Sequence, residues 1–174
     1  MGTTPSIAIT IMGKEDLEQV LAIERASFTM PWSQNLFLAE FRNRPVALML
    51  VALEDGTERK IAGYIVSWVV VDELHILDLA VRSDVRRRGV ARSLVLASLR
   101  MAFAKGARRA FLEVRESNQA ALLLYEGMGF ERTQVRLEYY DTPVESAVVM
   151  VLETAAMEHL LSPETPPSRA SGPS

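Results

Sequence analysis

The sequence predicts a mixed α/β domain, with a central, mostly antiparallel sheet and helices on both faces. Three observations carry this. Short apolar runs with strand periodicity alternate along the chain with stretches of helical periodicity. One long helical stretch, Val90 to Ala104, separates the strands ending at Val81 and at Val114, which calls for a right-handed parallel crossover. The other neighbouring strands are joined by hairpin turns and are therefore antiparallel, so the sheet is mixed.

Each element has its own signal. Ile7 to Met12 alternates apolar and polar residues, as a half-buried strand does. Lys14 to Ser27 reads as a helix, with Glu15 and Asp16 in its first turn and Leu17, Val20, Leu21 and Ala26 as its apolar stripe. Pro31-Trp32-Ser33 breaks the chain, and Ser33 can cap a short helix running to about Arg42. Val46 to Leu53 and Ile61 to Val71 form a hairpin around Glu54-Asp55-Gly56-Thr57. Leu74 to Val81 is the next strand. In the long helix, Val90, Leu94, Ala97 and Met101 share a face, and Gly106 stops it. Ala110 to Val114 is a short buried strand. Asn118 to Met128 reads as a helix capped by Ser117 or Asn118 and ended by Gly127 or Gly129. Strands near Thr133 to Tyr140 and Ser146 to Leu152 complete the sheet. The expected domain spans 1–161. The Ser- and Pro-rich tail, 162–174, has no apolar periodicity and is expected to be disordered.

Composition removes several classes of function. With 174 residues and 49% apolar content, the chain can bury one sizeable core. It has no cysteine, which excludes disulfides, thiolate nucleophiles and cysteine-bound zinc. Two histidines, His75 and His159, are too few for a histidine metal site, so no metal is expected. A net charge of -3 argues against general nucleic-acid binding. The longest apolar run, Val46 to Leu53, is too short to span a membrane, and MGTTPSIAITIM lacks the pattern of a signal peptide. A cytoplasmic location, with no membrane and no nucleic-acid partner, is the expectation.

The segment Ile76 to Arg100, ILDLAVRSDVRRRGVARSLVLASLR, carries the most chemistry. A strand leads into a turn and then a long helix, and Arg82 to Arg92 holds five arginines and one aspartate. A helix start offers unpaired N–H groups and a favourable dipole for an anion. Gly89 lets the backbone approach a ligand closely. This reads as a polyphosphate cradle, although neither common nucleotide loop, G-x-x-x-x-G-K-[ST] or G-x-G-x-x-G, is present. The alternative is a solvated basic loop.

Glu113 interrupts the apolar strand RAFLEVR. Alternation places it with Phe111 and Arg115, opposite Leu112 and Val114. Partial desolvation would raise its pKa and suit it to act as a general base. The alternative is a carboxylate on a solvated sheet face, paired with Arg115. Asn118 and Tyr125 lie seven residues apart, about two helical turns, and so share a face. Asn118 can be a ligand contact or simply a helix cap. Tyr125 can be a proton donor or a core aromatic. Trp32 is a core residue or the rim of a site.

These segments resemble the GNAT superfamily of acetyl-CoA-dependent N-acetyltransferases. Its [QR]-x-x-G-x-[GA] signature is matched by Arg86-Arg87-Arg88-Gly89-Val90-Ala91. LDLAV, FLEVRESNQAALLLYEGMGF, the PWS turn and RLEYYDTPVESAVVMVL are similar to the RimI branch, whose members acetylate the N-terminal alanine of a ribosomal protein. The similarity covers about residues 7–153 and implies the GNAT fold.

The resemblance also implies residue roles. Backbone groups of Leu79, Ala80 and Val81 would hold the pantetheine arm and thioester carbonyl of acetyl-CoA. The amides of Arg87, Arg88, Gly89, Val90, Ala91 and Arg92 would cradle the pyrophosphate, and Asn118 would contact coenzyme A. Glu113 would be the general base and Tyr125 the general acid, with direct transfer in a ternary complex. The implied partners are acetyl-CoA and the N-terminus of a ribosomal protein. Ala91 replaces the commoner glycine, and the DTPVES loop lacks glycines often found there. Two other readings stand beside this one: a GNAT enzyme acting on a small-molecule amine, and a non-catalytic acetyl-CoA-binding regulator.

Overall fold

A computed structural model describes residues 6–56 and 58–163. The strands are β1 (Ile7–Ile11), β2 (Ala47–Glu54), β3 (Ile61–Val70), β4 (Glu73–Val81), β5 (Arg109–Arg115), β6 (Glu131–Asp141) and β7 (Val144–Leu152). The helices are α1 (Leu17–Ser27), α2 (Gln34–Arg42), α3 (Val90–Ala104), α4 (Gln119–Glu126) and α5 (Thr154–Leu161). The tail lies outside the described residues from 164 onward.

One seven-stranded sheet has the order β1-β2-β3-β4-β5-β7-β6. Among the described residues only β4 and β5 pair in parallel, through the α3 crossover. All other neighbours are antiparallel. Helices cover both faces. Leu94, Val95 and Leu99 of α3, Leu122 of α4 and Met157 of α5 belong to one core cluster. Val20 of α1 and Phe37 of α2 belong to the other. The fold class is therefore the expected one.

Several details differ from expectation. Helix α5 has no counterpart in the sequence reading. At eight residues it is too short to show clear periodicity, and it is held by tertiary packing of Met157 against the core. The buried stripe of α1 is Leu17, Val20, Ile23 and Glu24, whereas Leu21 is half-buried and Ala26 exposed. The buried face of α3 includes Val95, Ser98, Leu99 and Ala102, while Ala97 and Met101 sit at its margin. In both helices polar residues occupy the core face, and a purely hydrophobic reading misses them. Strands β6 and β7 also run longer than expected and leave a connection of only Thr142 and Pro143.

Two irregularities shape the site. Ser67 pairs with Ile76 but Val66 pairs with Asp78, so Leu77 is an extra residue in β4. Such a bulge reverses the face on which later side chains lie. Leu74 and Ile76 accordingly pack in the α3 core, while Ala80 packs in the α1–α2 core. Second, β4 and β5 pair only from Glu73↔Arg109 to Ile76↔Leu112. Both strands then continue without pairing to each other.

Candidate active site

Where β4 and β5 part, a cleft of about 630 Å³ opens. Asp78 and Leu79 line it from β4, Glu113 from β5, and Asn118 and Tyr125 from the turn into α4 and from α4 itself. The structure thus brings Glu113, Asn118, Tyr125 and Leu79 into one cleft. Ala80 and Val81 lie further along β4, with side chains buried in opposite cores and backbones registered on Tyr64 and Gly63 of β3.

The arginine-rich turn sits at the start of α3. The first backbone hydrogen bond of the helix runs from the Ser93 N–H to the Gly89 carbonyl, 3.0 Å. The N–H groups of Arg87 to Arg92 have no backbone partner among the described residues. Arg87 and Gly89 both take left-handed backbone, φ 63° and 77°. Turns of this kind gather successive N–H groups into an anion-binding concavity, so the residues fit a pyrophosphate. The five arginines divide into two sets. Arg82 is held by Asp84, Glu54 and the Ile61 carbonyl, and Arg86 donates to the Val81 carbonyl. These two brace the turn. Arg87, Arg88 and Arg92 are exposed and make no ion pair among the described residues.

Glu113 faces the cleft but is not isolated. Its Oε1 lies 2.7 Å from Arg136 Nη1, with 28% of the side chain exposed. Its partner is thus Arg136 of β6 and not the expected Arg115, which instead reaches Glu145 and stacks 3.9 Å over the Tyr140 ring. The nearby Glu113 carboxylate raises the Tyr139 phenol above its ordinary pKa.

Tyr125 is 5% exposed and packs edge-on against Phe130 at 5.4 Å. Its hydroxyl has no hydrogen-bond partner among the described residues, and the residue lines the cleft. Burial, with a smaller effect of Asp78, holds this phenol above the usual tyrosine range. It is therefore a protonated O–H. Asn118 is the helix cap expected of it, and it stands at the cleft. Its Oδ1 caps α4 by accepting from the Ala121 N–H at 3.1 Å, and the residue also lines the cleft. His75 stacks on Phe111 at 5.3 Å as a sheet residue, and His159 is exposed.

The sequence reading missed three residues that meet beside the cleft, two of which, Glu24 and Asp78, line it. Glu24 of α1 is 1% exposed, Tyr64 of β3 0% and Asp78 of β4 7%. The Tyr64 hydroxyl donates to Glu24 and also lies 3.1 Å from Asp78 Oδ2. Glu24 Oε1 accepts from the Trp32 N–H at 2.6 Å, tying the Pro-Trp-Ser turn to the network. Burial and the charge of Glu24 push the Asp78 carboxyl up to about 8. Both carboxylates carried a usable signal. Asp78 interrupts the apolar run ILDLAV as Glu113 interrupts FLEV, and Glu24 falls four residues after Val20 on the buried stripe.

The family model for the acetyltransferase (GNAT) family matches residues 17–130. The chain belongs to the GNAT acetyltransferase family. Among GNAT relatives, the [ribosomal protein bS18]-alanine N-acetyltransferase of Salmonella typhimurium is 34% identical over 146 residues, 83% of this chain and 95% of that protein. The crystal structure of the ribosomal-protein-S18-alanine N-acetyltransferase from Escherichia coli superposes with a TM-score of 0.77 at 30% identity, covering 86% of this chain and 94% of that one. Ard1 from Thermoplasma volcanium gives a TM-score of 0.76 at 29% identity, over 85% and 97%. No helix among the described residues of this GNAT chain is long and apolar enough to cross a membrane.

Proposed function

We propose that this GNAT enzyme transfers acetyl from acetyl-CoA to the N-terminal α-amine of a ribosomal protein beginning with alanine, in the cytoplasm and by direct transfer in a ternary complex. The observation that carries the reading is one cleft holding a carboxylate, Glu113, opposite a protonated phenol, Tyr125, in a chain similar to alanine N-acetyltransferases along nearly their whole length. Acetyl-CoA supplies an acetyl group already activated as a thioester. The amides of Arg87 to Arg92, with the Arg87, Arg88 and Arg92 side chains, would hold its pyrophosphate. Asn118 has an amide NH2 left over from capping to offer coenzyme A. The Leu79 N–H would stabilise negative charge on the thioester oxygen. Glu113 takes a proton from the acceptor nitrogen through water, and Tyr125 gives one to the departing sulfur.

An α-amine, with a pKa near 8, suits such a site better than a lysine near 10.4, because far more of it is neutral at pH 7. Mass spectrometry of an alanine-first peptide with one internal lysine tests the proposal. Acetyl on the α-amine is expected. Acetyl mainly on the lysine, or only on a small polyamine or aminoglycoside offered in parallel, would replace it with the small-molecule reading. Binding of acetyl-CoA with no transfer to any amine would support a regulator instead.

A further inference from the structure

We propose that Asp78, set in place by Tyr64 and Glu24, is the group that takes the first proton from the acceptor ammonium. The inference rests on the reading of the chain as an α-amine acetyltransferase.

Two protons must leave the acceptor nitrogen. The ammonium loses one to become a nucleophile. The nitrogen loses a second once the N–C bond has formed. Glu113 can serve one of these steps, and it is already engaged by Arg136. Asp78 lines the same cleft and has no cationic partner among the described residues. The titratable groups around it are Glu24 from α1, Tyr64 from β3 and Tyr125 from α4. None of them is a cation.

The Leu77 bulge is what makes this geometry. Without it Asp78 would follow Leu74 and Ile76 into the apolar α3 core. With it, Asp78 reaches Tyr64 on the α1 side, beside the Pro-Trp-Ser turn held by Glu24. A single phenolic proton cannot be donated to two carboxylates at once. The chain is satisfied when Tyr64 donates to Glu24 and a protonated Asp78 donates to the Tyr64 oxygen. Asp78 therefore holds a proton in the resting protein, as burial and the nearby Glu24 favour. An entering ammonium brings the positive charge the cluster lacks, so that proton leaves to solvent and Asp78 becomes a carboxylate. That carboxylate then takes one proton from the ammonium. The neutral amine forms the N–C bond, and the C–S bond breaks. Glu113 receives the second nitrogen proton through water, and Tyr125 protonates the sulfur. Resetting the groups releases one net proton per acetyl transferred. Burial and Glu24 raise the Asp78 carboxyl from the ordinary carboxylate range toward that of a chain-terminal amine.

The test uses chemical rescue. Asp78→Asn removes the acceptor, and its kcat/KM on the alanine-first peptide is expected to fall about 10²-fold. An added small base, imidazole, should restore part of that loss in Asp78→Asn and leave wild type unchanged. Glu24→Gln, which acts through Asp78, should show a smaller loss. A loss in Asp78→Asn that imidazole does not touch, as a structural role would give, overturns the proposal, and so does no loss. Asn mimics the protonated side chain, so Asp78→Asn should melt no lower than wild type at pH 7. A lower melting point also overturns it. Failure of wild type to acetylate the alanine-first peptide would instead remove the acceptor reading, and the rescue would then be measured on whichever amine the wild type does modify.

Discussion

Arg136 of β6 reaches across β7 to hold Glu113 of β5, with Nη1 and Oε1 2.7 Å apart. The pair is part-exposed, 46% and 28%, so it adds about 1 kcal/mol of stability or less. What it contributes is orientation. Glu113→Gln is expected to lower turnover about 10²–10⁴-fold with little change in melting temperature. Arg136→Ala should be milder in rate and equally mild in stability. Steady-state kinetics on the alanine-first peptide, beside thermal melts, checks both. Wild-type rates for Glu113→Gln would remove it from the chemistry.

Tyr125→Phe isolates one hydroxyl of a cleft-lining residue that has no hydrogen-bond partner among the described residues. Folding should be unaffected, because the ring and its contact with Phe130 remain. Turnover should fall about 10²–10⁴-fold. The loss should shrink with a thioester whose leaving thiol is more acidic, since that sulfur departs without needing a proton. A loss of equal size for both thioesters argues against proton donation.

The cradle is tested at Gly89. A Cβ there would meet nothing within 4 Å, so the obstacle inside the protein is the φ of 77°. Gly89→Ala should cost about 1–2 kcal/mol in stability. Gly89→Glu should also block and repel pyrophosphate, and calorimetry should show a severe loss of acetyl-CoA affinity. Arg87, Arg88 and Arg92, each changed to Gln, should weaken binding more at low salt than at high salt, because exposed charges are screened. The same change at Arg82 should act through stability, since Arg82 braces Glu54 and Asp84.

Two buried aspartates give opposite pH signatures. Asp78 is raised from an ordinary 3.8 to about 8. Folding favours its protonated form, so its contribution is full below about pH 4 and is lost as pH rises to about 8. For Asp16, burial alone would raise the pKa, but bonds from Arg59 and the Gly13 N–H hold it below 3.8. Its contribution is present above that value and is lost as pH falls through the depressed one. Melting temperature should decline between pH 5 and pH 8 in wild type and less so in Asp78→Asn, while Asp16→Asn should lose its disadvantage only in strong acid. A wild-type melting point that stays level from pH 5 to 8 would contradict the Asp78 assignment.

Much of this molecule was legible from local pattern. Ser33 caps α2, Asn118 caps α4, and α3 spans Val90–Ala104 as its periodicity predicts. Glu113, Asn118 and Tyr125 stand out by strand or helix position and Leu79 through the family resemblance, and they meet in one cleft. What was not legible depends on register. One extra residue, Leu77, decides the face of Asp78, and no alternation rule announces where a bulge falls. Glu24 was passed over because a carboxylate on a helical stripe looks like a flaw in the apolar pattern until Tyr64 is seen to bind it. The Arg136–Glu113 pair joins strands two places apart in the sheet, an arrangement set by β7 inserting between β5 and β6.

The four-residue seam between β4 and β5 also makes the molecule its own gauge. Two lobes, one built on β1–β4 and the other on β5–β7, are sewn together by few main-chain bonds at the place where a cosubstrate would lie. A ligand that bridges the lobes adds stitches where the fabric is thinnest, and at a hundredfold excess over its Kd it stabilises the folded state by about 2.7 kcal/mol. Occupancy of the cleft would therefore be readable as a melting shift, with slowed amide exchange concentrated along the two facing strand ends.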